Sequence, residues 1–168
     1  DKGIKLDVPC SSDGMTPAHF AARYGHVDIL EFLADKGIKL DVPCSSDGMT
    51  PALLAAQNGQ VKVLVCLASI DIKLLQDTTS DGMTPAHFAA IGGYVEVLKF
   101  LAEQGIRLDV SLSNGSTPAH LAASYGHVNV LEFLADKGIG LDVTRSSDGT
   151  TPAHFAAIGG YVEVLKFL

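Results

Sequence analysis

Apolar and polar positions along this chain follow two rhythms that succeed one another. From Val27, the residues Val27, Ile29, Leu30, Leu33 and Ala34 share one side of a helical period, with Asp28, Glu31 and Asp35 on the solvated side. From Ile38 the period drops to two, as Ile38, Leu40 and Val42 alternate with Lys39 and Asp41 in the manner of an extended segment. Ahead of both stands a compact block, Ala18, Phe20, Ala21 and Ala22, introduced by Thr16-Pro17 and closed by Gly25. A threonine hydroxyl is placed to accept from free N–H groups of a first helical turn, and proline at the next position loses no hydrogen bond. The pattern predicts a short first helix, a second helix from about Val27 to Lys36 closed by a left-handed Gly37, and an extended arm. That arm turns at Ser46-Asp47-Gly48 and returns to the next Thr-Pro.

The whole unit recurs. Thr-Pro-Ala begins at Thr16, Thr50, Thr84, Thr117 and Thr151. Glycine, 17 residues in all, follows the same period. Gly14, Gly48, Gly82, Gly115 and Gly149 precede the threonine by two residues, and Gly25, Gly59, Gly93, Gly126 and Gly160 follow it by nine. Gly3, Gly37, Gly105 and Gly138 fill a third place, where the second unit carries Asp71; Gly92, Gly140 and Gly159 fall outside the scheme. A spacing of this kind means one supersecondary unit copied along the chain, stacked so that each copy touches its neighbours. The divisions expected are a leading tail at 1–10, repeats at 11–44, 45–78, 79–111 and 112–145, and a shortened last repeat at 146–168.

The string Thr16-Pro17-Ala18-His19-Phe20-Ala21-Ala22, then Gly25-His26, then a leucine-bearing helix closed by Gly37, resembles the ankyrin repeat. The resemblance runs through essentially the whole chain. It implies an all-α repeat solenoid of helix-turn-helix units with projecting β-hairpin loops. Two departures from the family pattern stand out: alanine replaces the first leucine of the tetrapeptide throughout, and Leu53 replaces histidine in the second unit. The arm from Gly105 to Gly115 is also one residue shorter than those from Gly37 to Gly48 and from Gly138 to Gly149.

Composition narrows the function. The chain has 168 residues, 12 Lys+Arg against 19 Asp+Glu, and a net charge of −7. A phosphate-tracking protein needs a basic footprint, so nucleic acid is not an expected partner, nor is an anionic membrane surface. The longest apolar run, Val63 to Ile70, is too short to span a bilayer. His19, His87, His120 and His154 occupy one repeat position, and His26 and His127 another. Stacked units lie roughly 8–10 Å apart, too far for such a ladder to share one metal ion, which needs each ligand within about 2.1 Å. By the resemblance, His19 and its counterparts are structural, bonding locally at the start of the first helix. Cys10 and Cys44 are equivalent positions one repeat step apart, and a disulfide needs Cα atoms within about 7 Å. Cys66 aligns with Phe32, Phe100, Phe133 and Phe167 and reads as a small residue on a helix face. With no disulfide to form, the three cysteines point to a reducing, cytoplasmic setting; an effector delivered into a host cytosol or an engineered array meets the same condition. No nucleophile elbow or phosphate loop occurs, and Ser-Asp-Gly, copied into four arms, reads as turn chemistry. No enzymatic role, metal or cofactor is expected.

What remains is surface. The family uses the concave face formed by hairpins and first helices to bind partner proteins, and positions there should differ between repeats. Those that differ are Arg23-Tyr24, Gln57-Asn58, Ile91-Gly92, Ser124-Tyr125 and Ile158-Gly159 after Ala-Ala, together with Met15, Met49, Met83, Ser116 and Thr150 before Thr-Pro. Tyrosine, arginine and methionine are enriched at interfaces. The expected partner-binding set is therefore Met15, Arg23, Tyr24, Met49, Gln57, Asn58, Met83, Ile91, Ser124 and Tyr125, for an unidentified partner protein.

Long identities link distant stretches, Asp1–Ala18 with Asp35–Ala52 and Thr84–Leu101 with Thr151–Leu168, as recent duplication or construction by design would leave them. The chain opens in the tail of a second helix, Asp1-Lys2-Gly3, and ends at Leu168 with no polar cap. An excerpt from a longer array is the favoured expectation. Head-to-tail self-association of copies is the alternative, and it would give filaments. A targeting domain of a larger protein is a third function class.

Overall fold

The computed structural model describes residues 5–44 and 47–168. The expected helix tail at Asp1 to Gly3 and Ser46 of the second turn lie outside the described residues. Helices come in pairs: α1 (Pro17–Tyr24) and α2 (Val27–Asp35), α3 (Pro51–Gln57) and α4 (Val61–Ile70), α5 (Pro85–Gly92) and α6 (Val95–Glu103). They continue as α7 (Pro118–Ser124) and α8 (Val128–Asp136), then α9 (Pro152–Gly159) and α10 (Val162–Phe167). Each odd-numbered helix packs on the next odd one, each even-numbered helix on the next even one, and each pair packs on itself. The result is two rows of helices side by side, a solenoid.

Local chemistry starts and stops these helices where the sequence pattern expects. Thr16 is extended (φ −93°, ψ 168°) ahead of Pro17, and Gly25 closes α1 at φ 83°. A residue with a Cβ adopts that left-handed conformation only at a cost. Small residues then let the first helices approach closely, with Ala22, Ala56, Ala90 and Ala123 wholly buried. Leucine pairs from the second helices fill the remaining volume, as Leu64 with Leu67, Leu98 with Leu101, and Leu131 with Leu134. Ile29, expected in this core, is instead 41 % exposed, while its counterparts Val63, Val97 and Val130 are at 0 %. Those three each face a preceding helix pair; nothing among the described residues covers Ile29.

The arms fold back on themselves as the expected projecting loops. Among the described residues there is no β-strand. Each arm is closed by a backbone bond between its limbs: Cys10 N–H to Met15 O at 2.9 Å, Cys44 to Met49 at 2.8 Å, Thr79 to Met83 at 3.0 Å, Leu112 to Ser116 at 2.8 Å, and Arg145 to Thr150 at 2.8 Å. Gly14, Gly82, Gly115 and Gly149 N–H return a second bond to Cys10, Thr79, Leu112 and Arg145 O at 2.8–3.1 Å. These bonds close a tight turn at the tip of each arm without extending into a longer ladder. In the second unit the alternating arm is replaced by a 3-10 helix, Ile72–Gln76. Asp71 (φ −155°) cannot supply the left-handed turn that Gly37 makes, and its carboxylate instead accepts from Lys73 N–H at 2.9 Å. No helix among the described residues is long and apolar enough to cross a membrane.

Candidate interaction face

The histidine ladder fixes the junctions on which any surface strip is mounted. Thr16 N–H donates to His19 Nδ1 at 3.0 Å, with the threonine hydroxyl 2.8 Å from the same nitrogen. Nδ1 must therefore be unprotonated, which leaves Nε2–H to donate across the junction to Met49 O at 3.1 Å. His120 repeats the arrangement, with Nε2 3.3 Å from Thr150 O. His87 has the same Nδ1 contacts, at 3.2 and 2.8 Å, but its Nε2 has no partner within hydrogen-bond distance. Burial depresses all three imidazoles below their ordinary pKa, His87 to about 4, with the next unit's carbonyls pulling the other way. Leu53 breaks the ladder, and the buried Thr50 hydroxyl at that junction has no imidazole to meet.

The turn aspartates bond locally, as expected. Asp13 Oδ1 accepts from Met15 N–H at 3.0 Å, Asp47 from Met49 N–H at 3.2 Å, and Asp148 from Thr150 N–H at 3.0 Å. This chemistry corrects part of the expected strip. Met15 and Met49 are only 7 % and 5 % exposed, and Met83 is half-buried. Their backbone groups are bonded to the turn and, at Met49 O, to His19, and their side chains pack against the core. A position that varies between repeats is here an inward one, and neither Met15 nor Met49 can carry a contact.

The rest of the strip sits together. Arg23, Tyr24, Gln57, Asn58, Ile91, Ser124 and Tyr125 all lie at the C-terminal ends of first helices that pack side by side. Tyr24 is 60 % and Tyr125 52 % exposed; Arg23 and Gln57 are exposed, and Asn58, Ile91 and Ser124 half-buried. The Arg23 guanidinium lies over the Tyr24 ring, 5.9 Å from its centroid. Ile158, at the same place in the fifth unit, stands out further at 80 % and belongs with them.

Two of these helix ends are bonded by the following unit. Gln60 donates to Arg23 O at 3.3 Å, and His127 Nε2 to Ile91 O at 2.8 Å. Tyr94 and Tyr161 take that place in the third and fifth units, and this accounts for two of the glycines outside the periodic scheme. A Cβ on Gly92 would collide with the Tyr94 ring, and one on Gly159 with the ring of Tyr161. Where the helix end carries Tyr24 or Tyr125, the residue two further on is His26 or His127. The tyrosine thus stands out in the first and fourth units and lies flat in the third and fifth. The signal was in the sequence as a paired exchange, but only ring positions give it meaning.

The family model for ankyrin repeats (3 copies) matches residues 1–76, 41–111 and 105–168, segments that together run the length of the chain. No curated protein matches it at a significant level.

Proposed function

The chain belongs to the ankyrin repeat family, and from that premise we propose that it is a protein-binding module whose partner lies along the ends of its first helices. Ankyrin repeats generally mediate protein–protein interaction, and the family is typically non-enzymatic. The observation that supports this use of the face is a row of exposed, unlike side chains on a frame of near-identical, buried ones. Tyr24 and Tyr125 are the anchors: large and amphipathic, with few rotamers to lose on binding. Arg23, Gln57, Asn58, Ile91, Ser124 and Ile158 supply the surrounding contacts. Met83, half-buried ahead of the third unit's first helix, takes a peripheral place. The concave face of the family is the surface so described, and a reducing, cytoplasmic setting suits its three thiols.

The test is affinity capture from cytosolic lysate, followed by titration of the captured protein. Tyr24→Ala and Tyr125→Ala should each weaken the interaction by about tenfold or more, the usual scale of an interface anchor. Met15→Ala should act only through stability. Unchanged affinity in the double tyrosine variant would overturn this assignment of the face.

A further inference from the structure

The second and third arms enclose a cleft that the strip does not use. It has a volume of about 370 Å³, and Leu75, Gln76 and Thr78 line it from one arm while Ile106, Arg107 and Val110 line it from the next. That is within the range of small-ligand sites, roughly 300–1,000 Å³. Its chemistry differs from the other inter-arm spaces because of the irregular second unit. Leu75 stands where Asp41, Asp109 and Asp142 stand in their own units. The cleft between the third and fourth arms is lined by Asp109, and the space beyond the fourth by Asp142. The 3-10 helix Ile72–Gln76 thus replaces a carboxylate with a buried leucine at this one place.

The cation at this cleft still has donors to offer. Arg107 Nε donates to Asp109 Oδ1 at 3.0 Å, and that pair is exposed on both sides. A guanidinium has five N–H donors, so the pair leaves its Nη edge open to a second acceptor. An exposed ion pair of this kind holds its partners weakly. One arginine beside apolar Leu75, Ile106 and Val110 matches a single planar carboxylate attached to an apolar group; a phosphate dianion would call for more than one cation.

We propose that this cleft is a second recognition site, taking the C-terminal apolar residue of a peptide with its free carboxylate on Arg107. The proposal is independent of the strip.

N-acetyl-L-leucine is the probe, titrated against the whole chain and followed by amide chemical shifts. Saturable shifts should be confined to residues 72–78 and 105–110, with a Kd of about 1–10 mM, the scale for so small a ligand. N-acetyl-L-leucinamide should bind at least about fivefold more weakly, and Arg107→Gln should remove that preference for the acid. Thr78→Phe, on an exposed residue, should fill the cleft and abolish both. The Tyr24→Ala, Tyr125→Ala double variant should titrate like the parent, so the two sites fail separately. Absence of saturable shifts in these segments, equal binding of acid and amide, or an unchanged preference in Arg107→Gln would overturn the proposal.

Discussion

His19, His87 and His120 each accept a threonine N–H at Nδ1, so a proton on that atom would set donor against donor in a buried place. Their folded pKa values lie below the ordinary 6.5, chiefly through burial. In the window between the two values the unfolded chain binds more protons than the folded one, so stability falls as pH falls. The contribution is fully present above about 6.5 and is lost toward about 4 for His87, where it amounts to about 3 kcal/mol. Urea midpoints measured at pH 7.5 and 4.5 should therefore differ, and the difference should shrink in His87→Leu. Asp13 and Asp148 do not cloud this window, because their carboxyls titrate below the usual carboxylate value. Asp13 is held down by the Cys10 thiol, and Asp148 by the Thr150 hydroxyl.

Within a helix pair, the exchange of glycine for tyrosine makes a sharper claim. Alanine in place of a helical glycine normally gains about 1 kcal/mol. At Gly92 the sign should reverse, since the new Cβ meets the Tyr94 ring and that ring is already seated against Gly59. Overpacking of this kind costs about 1–3 kcal/mol. Adding Tyr94→His, the residue that accompanies a larger neighbour in the first and fourth units, should recover most of the loss. Thermal or urea unfolding of the single and double variants measures both. The elements themselves were legible from Thr-Pro starts, glycine stops and the two apolar periods, because these are local backbone chemistry. The 3-10 helix after Asp71 was not, since Ile72-Lys73-Leu74 opens like the other arms, and the missing glycine ahead of it and the Leu75-Gln76 that follows do not by themselves spell a helix. The methionines misled for a related reason. Variation between repeats marks a tolerant position without saying which way the side chain turns, and packing against the core decides that.

Across the whole molecule, stability should follow how completely each unit is flanked. Leu98 is wholly buried, whereas Val162 is 59 % and Leu165 42 % exposed. Leu98→Ala should cost about 2–5 kcal/mol and Val162→Ala well under 1 kcal/mol. Hydrogen exchange should show the same gradient, with amides of α9 and α10 opening before those of α5 and α6, although the two segments share the sequence Thr84–Leu101 and Thr151–Leu168. Identical residues then differ in protection only through their neighbours. Equal protection in the two copies would mean that local sequence outweighs stacking.

The bonds from Gln60 to Arg23 O and from His127 to Ile91 O reach back across a junction. They therefore displace the heritable module from the visible repeat. A graft cut at each Thr-Pro would bring a new surface residue but change the latch on its upstream neighbour. A graft that also carries the latch residue from the unit downstream would keep each surface with its own fastening. The internal duplication keeps Gly92 with Tyr94 as Gly159 with Tyr161, but both lie within one unit, and the copied Ile158 leaves behind the His127 that latches Ile91. In this array, what recombines cleanly is a surface together with the ring or side chain that locks it.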